Sequence, residues 1–464
     1  MAGAAGRAPA DVYTAMQEEV RQGELITLYQ RTNNKISGLV KVAEKFKPSG
    51  RLVRIPNEVY VGGTFGVVNM AGGDVLTGSG GLTDELKLAT KEMSYTWRIQ
   101  ERTDQQTQTS KQAVMKAVAN MAKKAMREMQ EYEDILFAGN GSGKVTGAAA
   151  SATTWASGAK TVYTFTESTD FIGVNRLREG QVVYPFDSTD SHLYNSSAGA
   201  TAQIYIEKIN RATGQVYLSH LINADAGGAE TPDTGDYLTF YAVDAASFGG
   251  DFTGTPPNTT DAVPHGYEYF NDSGTSTYVQ GKLKSDWPQH VPTYINGTGS
   301  TYNLRFCNMI QHLLAKRFGD ESVERLVAVM PLSQADALQE EQQQVSVINA
   351  ETTGTNPNFR RSSALDGPRP KFTSPNGIKH FTSYRGRRNR VDFLAADMFV
   401  KAERLPITRM TIDGQVTWQA LSSTAGRYAY AKDAGFHMAF DWGHLKPGCG
   451  AYIDGLSTAA GYLA

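Results

Sequence analysis

The run Gly139-Asn-Gly-Ser-Gly-Lys144 is the closest approach in this chain to a phosphate-binding loop. In such loops the backbone N–H groups of a glycine turn cradle phosphate oxygens and a lysine reaches the outer phosphates. The spacing here does not support that chemistry. Ala138 stands where the first glycine is needed, Val145 stands where a serine or threonine would hold magnesium, and the segment follows a helical pattern. A helix cap and loop is the expectation. Ser157-Gly-Ala-Lys160 has the Ser-x-x-Lys spacing of an acyl-transfer nucleophile but lacks the Ser-Asp-Asn and Lys-Thr-Gly partners, so it reads as a loop. Asp433, His437 and Asp441 are metal-type ligands that would share one strand face. Met438, Phe440 and Trp442 mark the opposite face as the packed one, so the acidic face reads as solvated or paired across strands. The sequence has no His-Glu-x-x-His, Cys-x-x-Cys or Gly-x-Ser-x-Gly. No catalytic residue, metal ligand or cofactor site is assigned, and no enzymatic activity or cofactor is expected.

One basic cluster stands apart, Arg385-Gly-Arg-Arg-Asn-Arg390. Arg385, Arg387, Arg388 and Arg390 could lie in an exposed loop, pair with acidic side chains of another subunit, or neutralise phosphate. The whole chain has no basic field to hold nucleic acid: its net charge is -2 over 464 residues, with a pI near 6.5. Hydrophobic residues make up 40% and charged residues 20%, an ordinary globular balance with room for two or three domains. Apolar runs fall short of the roughly 18 residues that a membrane helix needs. The N-terminal residues lack the apolar core of a signal peptide, so export is not expected. Cys307 and Cys449, the only cysteines, read as free thiols of a chain made in a reducing cytoplasm. The sequons at Asn195, Asn258, Asn271 and Asn296 carry no weight without a secretory signal.

The elements around these residues are easier to read. Residues 1–50 form an arm with scattered apolar anchors. Val53, Ile55, Val59 and Val61 alternate with Arg54, Glu58 and Tyr60, and Met93, Tyr95, Trp97 and Ile99 alternate with Glu92, Thr96 and Arg98. That period of two predicts a long hairpin over 51–105, with arms about 50 Å long and a glycine-rich tip at 71–81. A ribbon of this kind needs a surface to lie on. Val114, Val118, Met121, Ala125, Met129, Tyr132 and Leu136 recur at helical spacing and predict a helix over about 109–137. Short strands at 181–184, 203–206, 215–218 and 237–240 predict a β-rich unit, then a helix over 303–318 with Phe306, Ile310, Leu313 and Leu314 inward. A buried strand at 326–330, a helix to about 344 and a β-rich end follow, with turns at 375–377 and 413–414. The fold class is α+β.

Along the chain come Arg54-Ile-Pro56, Gly62-Gly-Thr-Phe65, Asn69, Gly72-Gly-Asp74, Gly78-Ser-Gly80, the long helix ending at Gly139-Asn-Gly141, and Ala451-Tyr-Ile-Asp-Gly455. In this order the parts resemble the major capsid proteins of tailed bacteriophages. The resemblance implies an N-terminal arm at 1–50, an extended hairpin called the E-loop at 51–105, and the spine helix of a peripheral domain at 106–140. It implies a mixed axial domain at 141–390 carrying a small β-rich insertion at about 160–300, and returning peripheral strands at 391–464.

The resemblance further implies a shell subunit of the virion capsid, assembled in the host bacterial cytoplasm from pentamers and hexamers of itself. Packaged DNA would meet the inner face non-specifically, with a portal, possibly a cement protein, and no membrane. Only about 50 residues precede the hairpin, so a separate scaffold protein is expected. Lys87 and Lys91 lie on the return arm and not at the tip, which favours non-covalent locking. The residues expected at subunit contacts are Gly72, Gly73, Asp74, Gly78, Gly80, Met93, Tyr95, Trp97, Ile99 and the four arginines. Two rivals are an encapsulin-like compartment, whose chains are shorter, and a β-rich glycan-binding surface protein.

Overall fold

The computed structural model describes residues 36, 52–60, 80–100, 117–155, 160–165, 174–186, 193–194, 204–222, 224–225, 232, 234–239, 263–275, 278–319, 326–341, 372–373, 378–383, 385–411, 417–421 and 428–457. The alternation from residue 52 onward becomes strand β1 (Leu52–Tyr60), which pairs antiparallel with β2 (Leu82–Ala89). Val53 lies opposite Leu88 and Ile55 opposite Leu86, so the apolar residues share one face. After the buried Thr90, β3 (Lys91–Gln100) leaves the ribbon and pairs antiparallel with the long strand Tyr428–His444. This corrects the expected hairpin, whose return arm was read as 92–99. Alternation specifies which face a residue occupies but not which strand lies beside it.

Tyr428–His444 organises a four-stranded sheet. Phe399–Arg409 and Thr417–Leu421 pair end to end along one of its edges, and β3 takes the other. Helix α1 (Ala117–Phe137) packs on this sheet. Ala122, Ala125, Met129, Leu136 and Phe137 meet Phe436, Met438, Phe440 and Trp442, with Met93, Tyr95 and Trp97 at the margin. Ala125, Met129 and Leu136 belong to the stripe read from the sequence; the side chains of Val114 and Val118 lie outside the described residues. The helix ends as expected, with the Gly139 N–H donating to the Leu136 carbonyl at 2.9 Å. Gly141 and Gly143 then take positive φ, +84° and +72°, so the run up to Lys144 is a capping loop.

A second sheet runs in the order Thr293–Asn296, Ala451–Asp454, Val391–Ala395, Leu326–Met330, Lys379–Thr382 and Phe372–Thr373. It is mixed, with parallel pairs at 293–296 with 451–454 and at 327–330 with 379–382. Helix α2 (Leu304–Phe318) covers one face, its N-terminus capped by the Asn303 side chain accepting from the Phe306 N–H. Cys307, Ile310 and Leu314 form its buried stripe, whereas Leu313 is 41% exposed and Phe306 only partly covered. The helical turn carries Leu313 toward solvent, which corrects the expected apolar face. Residues 391–395 and 451–454 belong to this sheet, so the segment 391–464 alternates between the two sheets.

The β-rich insertion is a six-stranded antiparallel sheet, from Ser151–Trp155 at one edge to Tyr237–Thr239 at the other. Its core is its own: Val145, Tyr163, Phe165, Val183, Ile206, Val216, Leu218 and Leu238 pack together. Residues 263–296 return to the main body, through the short helix Tyr267–Phe270 and the strand Thr293–Asn296. Among the described residues the insertion therefore spans 145–239, not 160–300. Glycine and threonine turns made both stretches look alike in sequence.

The junction closes tightly at Gly266. A Cβ there would stand 2.3 Å from the Phe137 carbonyl oxygen and 2.5 Å from those of Leu136 and Gly139. Backbone at the end of a packed helix cannot yield, so Gly266→Ala is expected to cost at least about 3 kcal/mol. Chemical denaturation checks this; a variant as stable as wild type would contradict the packing.

Candidate assembly interface

The base of the β1–β2 ribbon is fixed to the body by one apolar face. Val53, Ile55, Leu86 and Leu88 are buried against Val400, Ala402 and Leu445. Burial of four such side chains contributes on the order of 6–12 kcal/mol before entropy is counted. The opposite face is polar, with Arg54 and Pro56 exposed and Arg54 pairing with Glu85 at 3.2 Å. Pro56 has no N–H to donate, which suits a strand whose outer edge is free. A turn with positive φ at both Gln280 (+49°) and Gly281 (+80°) reverses the chain between Val279 and Lys282. It brings the Gln280 carbonyl to the Lys87 N–H at 2.9 Å, and Lys282 forms an ion pair with Asp84. The hydrogen bond from Lys282 holds the Asp84 carboxyl below the usual range.

Behind this base sit two histidines. His444 is buried between Phe399 and Phe270, with ring centroids 4.5 and 5.9 Å away. Burial pushes it down to about 3, and burial with the nearby Lys282 pushes His290 down to about 4.

The arginine cluster turns inward. Arg385 is 2% exposed and donates to Glu131 of α1 at 2.8 Å. Arg390 grips Asp392 at 2.8 Å, donates to the Asn271 carbonyl at 2.9 Å, and lies 4.1 Å over the Tyr452 ring. Arg387 approaches Glu268 at 3.5 Å, and Arg388 is half-buried. The insertion adds two arginines that sequence reading missed. Arg178 pairs with Glu131 at 2.8 Å and Glu128 at 3.4 Å. Arg176 donates to Glu268 at 3.1 Å, to the Ala138 carbonyl at 2.6 Å and to the Arg385 carbonyl at 3.1 Å. Burial alone would raise the Glu268 carboxyl, but Arg176, Arg387 and Arg390 hold it below its ordinary value. The guanidinium groups of Arg385 and Arg390 are thus committed within the subunit, in place of the exposed loop or intersubunit contact expected for them.

The other predicted contact residues divide. Gly72, Gly73, Asp74, Gly78 and the side chain of Ile99 lie outside the described residues, and Gly80 is exposed. Met93, Tyr95 and Trp97 face α1 and its sheet: Trp97 stands 5.3 Å from Phe436, and the Tyr95 hydroxyl bonds to Glu128. That apolar face packs, partly buried, on the chain's own core. Asp433 pairs with Arg98 at 2.8 Å across the strands, as a paired face requires. Asp441 is fully buried and holds His265, accepting from its backbone N–H at 2.7 Å and meeting its ring at 2.9 Å. Ile36, the one described residue of the arm, is buried on α1 with its N–H on Asp134 at 2.8 Å. A partner such as Arg178 could have been suspected from Glu128 and Glu131, whose spacing puts two carboxylates on one helix face.

No protein-family profile and no curated protein matches the chain. Solved structures do align along nearly its whole length. The capsid asymmetric unit of cyanophage A-1(L) aligns over 96% of this chain and 99% of its own, at 10% identity and a TM-score of 0.49. A native GTA particle capsid aligns over 94% of both chains at 8% identity and 0.45. The capsid of Myoviridae phage XM1 aligns over 94% and 96% at 9% identity and 0.41.

The two kinds of ion pair should respond differently to substitution. Arg385→Met removes one of the two guanidinium partners of Glu131, which keeps Arg178, and is expected to cost about 1.5–3 kcal/mol, the worth of a buried hydrogen bond to a charged group. Arg54→Ala removes a solvent-exposed pair and should cost less than about 1 kcal/mol. Urea titration of both variants distinguishes them, and equal losses would contradict the burial described.

The histidines predict an acid dependence. In the unfolded chain both titrate near pH 6.5, well above their folded values of about 4 for His290 and about 3 for His444. Between pH 6.5 and about 4 the unfolded chain therefore binds protons that the folded chain refuses. Stability should fall as pH falls, by up to about 1.4 kcal/mol per unit for each histidine. The slope of unfolding free energy against pH should be shallower in His444→Gln; an unchanged slope would remove His444 from the account.

Proposed function

We propose that this chain is the major capsid protein of a tailed bacteriophage, a structural subunit that assembles with copies of itself into an icosahedral head. The observation that carries this reading is the ribbon. It is a two-stranded sheet with one face on its own subunit, a polar outer face, and the glycine-rich residues 71–81 at its far end. A ribbon of two strands is marginal in water, and its far end needs a surface beyond the clamp at its base. A neighbouring subunit supplies that surface in a shell. The contact is assigned to the tip, including Gly72, Gly73, Asp74, Gly78 and Gly80. Met93, Tyr95, Trp97, Arg385 and Arg390 serve the fold that holds the tip out.

Pentamers and hexamers are the expected assemblies, formed in the host cytoplasm with a separate scaffold and closed around a portal. DNA would fill the interior without sequence-specific contact, in keeping with the net charge of -2. Many small contacts repeated over a closed surface make such a shell strong although each contact is weak.

Size-exclusion chromatography of the purified chain under crowding, with negative-stain microscopy of the leading fraction, tests this. Closed shells, or discrete pentamers and hexamers, are expected. Removing residues 72–80 should leave the thermal midpoint within about 4 °C of wild type and abolish closed shells. A wild-type chain that stays monomeric at high concentration would count against the assignment, and a deletion variant with normal shells would refute the role of the tip.

A further inference from the structure

Five large apolar side chains are exposed among the described residues, and three of them lie on the outward faces of two helices over one sheet. Met309 and Leu313 are on α2, and Leu332 is on the helix at 332–341. Both helices rest on the same face of the mixed sheet: Cys307, Ile310 and Leu314 from one and Ala335 and Leu338 from the other enter a single core. They meet where Glu341 accepts from the Leu304 N–H at 2.9 Å.

Their outward faces carry opposite charge. On α2, Arg305, Met309, His312, Leu313 and Lys316 fall within one stripe, all exposed, and the helix contains no acidic residue. On the second helix Leu332, Asp336 and Glu340 succeed one another at intervals of four, a stripe about 12 Å long. Among the described residues none of Arg305, Lys316, Asp336 and Glu340 forms an ion pair. Asp336 and Glu340 instead repel each other along the helix, an arrangement that destabilises it slightly. Partial burial and the Glu340 charge together raise the Asp336 carboxyl. Among the described residues each stripe thus combines exposed apolar surface with charge that no ion pair compensates.

We propose that the basic face of α2 docks on the acidic 332–341 face of a second copy of this chain, Met309 and Leu313 covering Leu332 while Lys316 meets Asp336 and Glu340 and Arg305 adds to the basic field of the same face. The inference rests on the shell-subunit reading and specifies one of its contacts. Charge selects the geometry. Either stripe set against itself would juxtapose like charges, so each stripe has to face the unlike one. Unlike faces on one molecule can join head to tail, and a head-to-tail contact that closes makes the ring that the shell reading requires. Rim charges of this kind also suppress wrong pairings during encounter.

Charge reversal tests it in the full chain. Asp336→Lys with Glu340→Lys gives one variant, and Arg305→Glu with Lys316→Glu gives a second. Each is expected to reduce ring and shell yield by at least about tenfold, since opposed like charges cost several kcal/mol. The chain carrying all four changes restores complementarity and should recover assembly. All the positions are exposed or half-buried on helices, and a circular-dichroism melt confirms that each variant folds. Normal assembly of either reversed variant would overturn the contact, as would a folded four-fold variant that stays unassembled. A wild-type chain that forms no rings would remove the shell reading itself, and this contact with it.

Discussion

The C-terminal end of α1 is the point on which the rest of the subunit depends. Glu128 and Glu131 project from one side of the helix, and its last carbonyls are left free where Ala138 and Gly139 end it. Arginines from two distant parts of the chain satisfy both sets. Arg178 and Arg385 take the carboxylates, and Arg176 takes the Ala138 carbonyl and Glu268 together. Buried charges of this kind add little net stability compared with apolar packing, but each is costly to leave unpaired. They therefore act as a specificity device. Arrangements of the insertion, the helix and the 385–390 loop that leave Arg176 or Arg385 unpaired are disfavoured, because both guanidinium groups are buried.

That arrangement positions the ribbon. α1 backs the sheet to which β3 belongs, and β3 follows β2 after the single residue Thr90. The ribbon's direction is thus inherited from the sheet, and Val400 and Ala402, on the strand paired with Tyr428–His444, clamp its base. The Gln280–Gly281 turn adds a hydrogen bond at the open end of the clamp. Movement of the ribbon would have to break the packing of Val53, Ile55, Leu86 and Leu88, or carry the sheet with it.

Much of this was legible in the sequence because it was encoded locally. The alternation through 91–98, the stripe on α1, the strand at 326–330 and the cap at Gly139 all follow from period and turn chemistry, and they stand where expected. Partners were not legible. Met93, Tyr95 and Trp97 were read as a sticky face awaiting another molecule, yet Phe436, more than 330 residues away in the chain, already lies against Trp97. The arginine cluster misled for the same reason. Four arginines in six residues suggest solvent or phosphate, and the acids that draw two of them inward, Glu131 and Asp392, lie partly in distant sequence. Leu313 failed differently: an apolar residue at nearly the right helical angle was assumed to be core, and the difference in angle put it outside.

That last failure is informative about how stability and assembly divide the chain. Residues that hold the subunit together are either apolar in one of its cores or charged and paired in dry sites. Among the described residues, Met309, Leu313, Leu332, Arg305, Lys316, Asp336 and Glu340 on the mixed sheet's helices are of neither kind: they are apolar and exposed, or charged and outside any ion pair. Isolated exposed apolar residues need no explanation. Three of them within two adjacent stripes of opposite charge are a pattern, and the local energetics oppose it, since Asp336 and Glu340 destabilise their own helix. A cost borne by the free subunit and relieved by a second copy is the condition for assembly that depends on concentration. Weak complementary faces of this kind allow misplaced subunits to dissociate before a closed surface forms, whereas a strongly apolar face would trap them.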